Sequence, residues 1–113
     1  MCSQDEVRSI VAELCDRLRA LFPRECFDVT LFGSYARREA EDGSDIDVLV
    51  LVDAPRQEIA QKHWQIGDAA ADLLLEHGVV VSPIVENRDY FLRHADILPF
   101  YRNIRREGVR IVA

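Results

Sequence analysis

Long hydrophobic stretches are missing from this sequence. Its longest unbroken apolar run is the five residues 48–52, where a membrane-spanning helix needs roughly 20, so no membrane partner is expected. The first residues carry Asp5, Glu6 and Arg8 where a secretory signal would hold an apolar stretch. Cysteine is scarce as well. Cys2, Cys15 and Cys26 form an odd count at irregular spacing, with no pair fit for a metal knuckle or a redox motif. Reduced thiols in a cytoplasmic protein are the simplest reading, with Cys15 and Cys26 in or near the core. Low-complexity tracts, internal repeats and linker-like segments are also absent, which points to one domain over residues 1–113. Finally, a basic excess is lacking: the net charge is −6, so nucleic acid is not expected as a direct partner. The charge is uneven, since residues 88–113 carry six arginines against Asp89, Asp96 and Glu107, leaving +3 there and −9 elsewhere. A solvated helix face accounts for that basic end.

What is present is a chain 49% hydrophobic and 30% charged, the balance of an ordinary globular protein. Ser3 and Glu6 are spaced as a capping box. Behind them Val7, Ile10, Val11, Leu14, Leu18, Leu21 and Phe22 recur at helical spacing, and Pro23 helps to stop that helix. Residues 26–32 read as a strand running into Gly33 and Ser34, residues 35–41 as a short helix, and residues 42–44 as a turn. Residues 45–52 are β-branched and leucine-rich with aspartates only at the start, which predicts a central buried strand. A long helix is expected over residues 55–77, with Pro55 in its first turn and Gly78 as its stop. Residues 79–85 form another predicted strand, placed at an edge or a bulge by Pro83. Asn87 is set to cap a helix through His94. A last helix over residues 99–107 ends at Gly108, before a strand-like tail at residues 109–112. The order predicts an α/β (α+β) fold, a small mixed β-sheet flanked by helices.

The chemistry concentrates at two places. Asp45 and Asp47 lie two apart at the start of the apolar strand, so both carboxylates face one side. Two such groups together resist ionisation, and a hard divalent cation such as Mg²⁺ relieves the conflict. Taken alone, the pair reads equally well as a turn cap and a strand-start residue. Upstream, however, a strand ends at Phe32-Gly33-Ser34 and passes straight into a helical segment. Glycine permits close approach of backbone to phosphate, and the serine hydroxyl is a further donor. The combination brings phosphate donors and metal ligands to adjacent strand ends.

The residues Leu31-Phe32-Gly33-Ser34-Tyr35-Ala36-Arg37, followed by Ser44-Asp45-Ile46-Asp47-Val48-Leu49-Val50, resemble the signature of the polymerase-β-type nucleotidyltransferases, above all the minimal nucleotidyltransferase (MNT, MntA-like) group. The likeness is strong over residues 26–52. It implies a nucleotidyltransferase-type fold, ATP binding, and two Mg²⁺ ions at Asp45 and Asp47. Gly33 and Ser34 would position the terminal phosphates, with Arg37 and Ser44 completing the nucleotide site. A hydroxyl would attack the α-phosphate and pyrophosphate would leave. One departure stands out. Active members carry a third carboxylate on a later strand, yet residues 79–85 contain no acid. Ser82 is the polar residue there and Glu86 lies just beyond, so either Glu86 reaches in as the third catalytic acid, or water and substrate complete the site, or the chemistry is weak.

Three functions remain open on these residues. The first is transfer of AMP from ATP to a hydroxyl on a partner protein, which the resemblance implies is a HEPN-type toxin, making the chain the antitoxin of a toxin–antitoxin pair. The second is a nucleotide-binding module that neutralises a partner without transfer. The third is a subunit of a small-molecule transferase of the aminoglycoside type. A homo-oligomer is compatible with each. His63, His77 and His94 show no mutual ligand spacing, Trp64 reads as a packing residue, and Leu73-Leu74-Leu75 reads as core with one leucine turned towards an interface. Phe91, Phe100 and Tyr101 are expected in the core, with a base-stacking surface as the alternative.

Overall fold

The structure is a computed structural model that describes residues 2–111. Four strands form one mixed sheet in the order β3-β2-β1-β4, where β1 is Asp28–Phe32, β2 Ile46–Val52, β3 Val81–Asn87 and β4 Val109–Ile111. β1 runs antiparallel to both β2 and β4, whereas β2 and β3 are parallel. A parallel pair needs a crossover, and α3 (Arg56–Gln61) with α4 (His63–His77) supplies it. The sheet is therefore small and mixed, as the sequence predicts.

β2 explains the layering. Every residue of it except Asp47 is buried, so it must be covered on both faces. On one face, Ile46, Val48, Val50 and Val52 meet Val11, Leu14, Cys15 and Leu18 of α1 (Gln4–Leu21) and Leu73 of α4. On the other, Leu49 and Leu51 meet Phe91 and Ala95 around α5 (Arg88–His94) and Ile104 of α6 (Pro99–Glu107). Fully burying one such side chain is worth about 1.5–3 kcal/mol, which makes β2 the anchor of both layers.

Local signals are honoured at most element ends. The Ser3 hydroxyl accepts from the Glu6 amide at 3.1 Å while the Ser3 amide donates to the Glu6 carboxylate at 3.3 Å. Gly78 closes α4 in the left-handed region at φ +69°, and Asn87 accepts from the Tyr90 amide at 2.9 Å to start α5. Pro83 sits on the edge strand β3, where a missing N–H costs no ladder bond to a further strand.

Other expectations are corrected. The long helix predicted over residues 55–77 is broken at Lys62, whose φ of −100° and ψ of 12° leave the helical well. Its ammonium reaches back to the Leu21 carbonyl, to Glu58 and over the Phe22 ring, so tertiary anchoring overrides local propensity. The break sets α4 with Ile66, Ala69 and Leu73 inward and leaves Trp64 81% exposed, not packed. Leu75 is exposed too, and Leu74 partly so. Cys15 is buried as expected, whereas Cys26 precedes β1 and is exposed. The helix expected over residues 35–41 is only α2, Gly33–Ala36, because Arg38 takes a left-handed φ of 59°. β3 starts at Val81 and extends to Asn87, taking Glu86 into the strand. The predicted tail is β4 as far as Ile111, and Val112 lies outside the described residues. No helix among the described residues is long and apolar enough to cross a membrane.

Candidate active site

The site lies at the rim where β1 ends and β2 begins. Antiparallel register sets Phe32 opposite Asp47, so the turn into α2 passes directly beside the second aspartate. Gly33 adopts a φ of +75°, and a Cβ built on it would lie 2.3 Å from the Asp47 Oδ2. Any side chain there would push the carboxylate aside and strain the backbone, so the backbone angle and the carboxylate both favour glycine. Ser34 is half-buried; its carbonyl accepts from the Glu39 amide at 2.9 Å, closing the segment after α2.

Asp45 is exposed just before β2, and Asp47 is half-buried. Burial raises the Asp47 pKa, the neighbouring Asp45 charge raises it further, and Arg37 opposes both. The donor set is all oxygen, partly desolvated and electrostatically frustrated, which fits a hard divalent cation. Away from the pair, Glu13, Glu76 and His77 bring their ligand atoms within 4.8 Å of one another. They lie between α1 and α4, where Arg17 bonds Asp72 at 2.9 Å and Glu76 at 2.5 Å. That cluster already ties two helices together.

The remaining predicted residues fare unequally. Arg37 stands close enough to act on Asp47 and faces two carboxylates, Glu39 at 3.1 Å and Glu107 at 3.8 Å. Ser44 closes the turn before Asp45, its hydroxyl accepting from the Glu41 amide at 2.8 Å, and it lines a different cavity, with Cys2, Tyr35 and Val80. Glu86 is not brought to the pair. Parallel register sets Ser82 beside Asp47 and Glu86 beside Leu51, four residues on and so about 13 Å along the strand. There Glu86 is 6% exposed and accepts from Tyr101 Oη at 2.6 Å, Arg56 Nε at 3.1 Å and its neighbour's amide at 2.9 Å. The Tyr101 pKa is pushed well up by burial and then by that bond. Glu86 is a strut joining β3, α3 and α6.

Sequence reasoning offered Phe100 only as the alternative to a core residue, and missed Asn103 and Glu107, which complete a wall contributed by α6. Phe100, Asn103 and Glu107 recur at helical spacing on one side of α6, and with Phe32, Gly33, Arg37 and the underlying Ile104 they bound a cavity of about 260 Å³. Phe91 and Tyr101 pack inward as expected, but Phe100 is 51% exposed. The i, i+3, i+7 pattern was legible; that it would face α2 depended on the tertiary packing.

Comparison with known proteins bears on this geometry. The family described as a nucleotidyltransferase domain matches residues 11–103. Three similar proteins of Methanocaldococcus jannaschii each carry the name "putative protein adenylyltransferase". One is 32% identical over 98 residues, covering 87% of this chain and 90% of that protein. A second is 33% identical across 77% of this chain, which spans only 60% of that protein's length. The third is 33% identical, covering 71% of this chain and 79% of the relative. With most of its length matched by the family and by these relatives, the chain belongs to the nucleotidyltransferase domain family and is an enzyme of that class.

Proposed function

We propose that this nucleotidyltransferase transfers AMP from ATP to a hydroxyl on a partner protein. One observation carries the reading: the half-buried Asp47 carboxylate, held against Gly33 and raised in pKa by burial and by Asp45. Two Mg²⁺ ions bound at Asp45 and Asp47 would neutralise the pair, polarise the triphosphate and lower the pKa of the attacking hydroxyl. Gly33 leaves room for the terminal phosphates against the backbone, and the Ser34 hydroxyl donates to them. Arg37 offsets charge beside Asp47. The acceptor oxygen forms its bond to the α-phosphorus as the bond to the bridging oxygen breaks. Pyrophosphate leaves with that electron pair, and the hydroxyl proton passes to water. No carboxylate stands beside Asp47 on β3 to take it, since Ser82 occupies that position.

The name shared by the relatives supports AMP as the group and a protein as the acceptor. The resemblance to minimal nucleotidyltransferases extends the proposal to a cytoplasmic antitoxin whose acceptor is a HEPN-type toxin. Ser82 in the register of Asp47 favours a second reading, a nucleotide-holding module that neutralises its partner without transfer. The test incubates the chain, Mg²⁺, α-labelled ATP and the product of the neighbouring gene, beside an Asp45→Asn/Asp47→Asn variant. Label on the partner with the wild type only is the expected result. No label, with neutralisation intact in the variant, would establish the second reading instead.

A further inference from the structure

We propose that the cavity between α2 and α6 is the subsite for the base of the nucleotide, a purine carrying an amino group, stacked on Phe100 and held by Asn103 and Glu107. The inference rests on the nucleotide-transfer reading above and adds where the base lies and what recognises it.

Position is the first argument. The cavity and the aspartate pair share one wall, Gly33, whose Cα side abuts Asp47 and which also lines the cavity. A nucleotide with its phosphates at the pair therefore has this space open to the rest of the molecule. At about 260 Å³ the cavity is below the roughly 300–1,000 Å³ of pockets that take whole drug-sized ligands, so it suits one ring system and not a complete nucleotide.

Charge decides which end of the nucleotide enters. Arg37 is the one cation among the residues lining the cavity, and it faces the carboxylates of Glu39 and Glu107. A space with its cation offset twice repels a triphosphate and tolerates a neutral ring. The apolar surface matches that ring. Phe100 is half-exposed, with its ring set edge-to-face against Phe32 at 5.8 Å between centroids and 84° between planes. A ring held by Phe32 and, tilted at 6.2 Å, by Tyr101, yet half-exposed, is a stacking platform.

Hydrogen-bond polarity names the edge. The Arg106 guanidinium donates to Asn103 Oδ1 at 3.1 Å, which fixes the amide and leaves its NH₂ to donate. Glu107, four residues on, only accepts when ionised. A donor beside an acceptor complements a ring nitrogen beside an amino group, as adenine presents them at N7 and N6.

The experiment measures binding of ATP, of the purine ribonucleoside triphosphate lacking the 6-amino group, and of inorganic tripolyphosphate. Each is titrated into the full chain with Mg²⁺ by calorimetry, without an acceptor. Wild type should bind ATP more tightly than tripolyphosphate. Phe100→Ala should weaken ATP by about 5-fold or more and leave tripolyphosphate unchanged, which also shows that the variant is folded. Glu107→Ala should abolish the preference for ATP over the analogue without the amino group. Equal affinity of wild type for ATP and tripolyphosphate, or ATP binding indifferent to Phe100→Ala, would overturn the base subsite while leaving phosphate binding in place. Failure of wild type to bind either ligand would sink the nucleotide-transfer reading, and the subsite with it.

Discussion

Replacing Gly33 by alanine separates the geometry of the site from the stability of the fold. The new Cβ would start 2.3 Å from Asp47 Oδ2, and real contacts of this kind do not fall under 3.0 Å, so the carboxylate must retreat by roughly 0.7 Å. The backbone adds its own cost, because an L-residue in the left-handed region loses about 1–2 kcal/mol. For a chain of this size that lowers the melting temperature by about 4–8 °C. Misplacement of a reacting group by about 1 Å costs on the order of 10²-fold in rate, so transfer should fall by roughly that factor. Gly78→Ala is the matched control. Its φ of +69° imposes similar strain, but nothing lies within 4 Å of the new Cβ. Both variants should melt lower by a similar amount in a thermal unfolding scan, and only Gly33→Ala should lose transfer in the α-labelled ATP assay. Transfer by Gly33→Ala within about 3-fold of Gly78→Ala at a temperature where both are folded would refute the argument that Asp47 is positioned through Gly33.

Three further outcomes are expected. Asp47 binds its proton more tightly in the folded chain than in the unfolded one, so its contribution to stability is complete below the unfolded value and is lost as pH rises through the folded value. In metal-free buffer the melting temperature of Asp47→Asn minus that of wild type should be near zero below about pH 4 and turn positive towards neutral pH; a difference flat across that range would contradict it. Glu86→Ala leaves Tyr101 Oη and the Asn87 amide without their acceptor, and should cost about 2 kcal/mol in denaturant titration. Transfer per folded molecule should hold, and a selective loss of rate would restore Glu86 to the chemistry. Trp64→Ser should change stability by no more than about 0.5 kcal/mol, since the ring is 81% exposed; a larger fall in the urea midpoint would show that Trp64 packs after all.

The parts of the fold that could be read in advance are those fixed by neighbours in sequence. The Ser3–Glu6 capping box, the stop at Gly78, the Asn87 cap and the buried strand around Val48 and Val50 all depend on local chemistry or on a short apolar period, and each stands where it was expected. Gly33 beside Asp47 was legible for the same reason: a strand end, a glycine and a paired acid are short-range signals. What failed depended on distant partners. Lys62 breaks a helix because it reaches Leu21, forty-one residues back. Trp64 is turned outward by that break. Glu86 looked like a catalytic acid just past a strand, but the strand runs on through it and the register carries it away from Asp47 towards Tyr101 and Arg56. The wall of Phe100, Asn103 and Glu107 was hidden because no local pattern says which helix α6 will face.

Burial also explains why the acids stand where they do. β2 is covered on both faces from Val48 to Val52, and an ionised carboxylate within that stretch would be desolvated without a partner. Only the start of the strand can carry charge: Asp45 lies in solvent, and Asp47 is followed at once by the closed core. The same strand thus holds the longest run of buried residues among those described and, at its rim, two like charges in conflict. Packing on either side of β2 constrains Asp47, and the conflict makes the ionised pair by itself less stable at neutral pH than a neutral substitute would be. A cation bound there removes the conflict and stabilises the folded chain by mass action. Site and core are therefore coupled through one strand: the apolar residues that fold the sheet are those that hold the carboxylates in place.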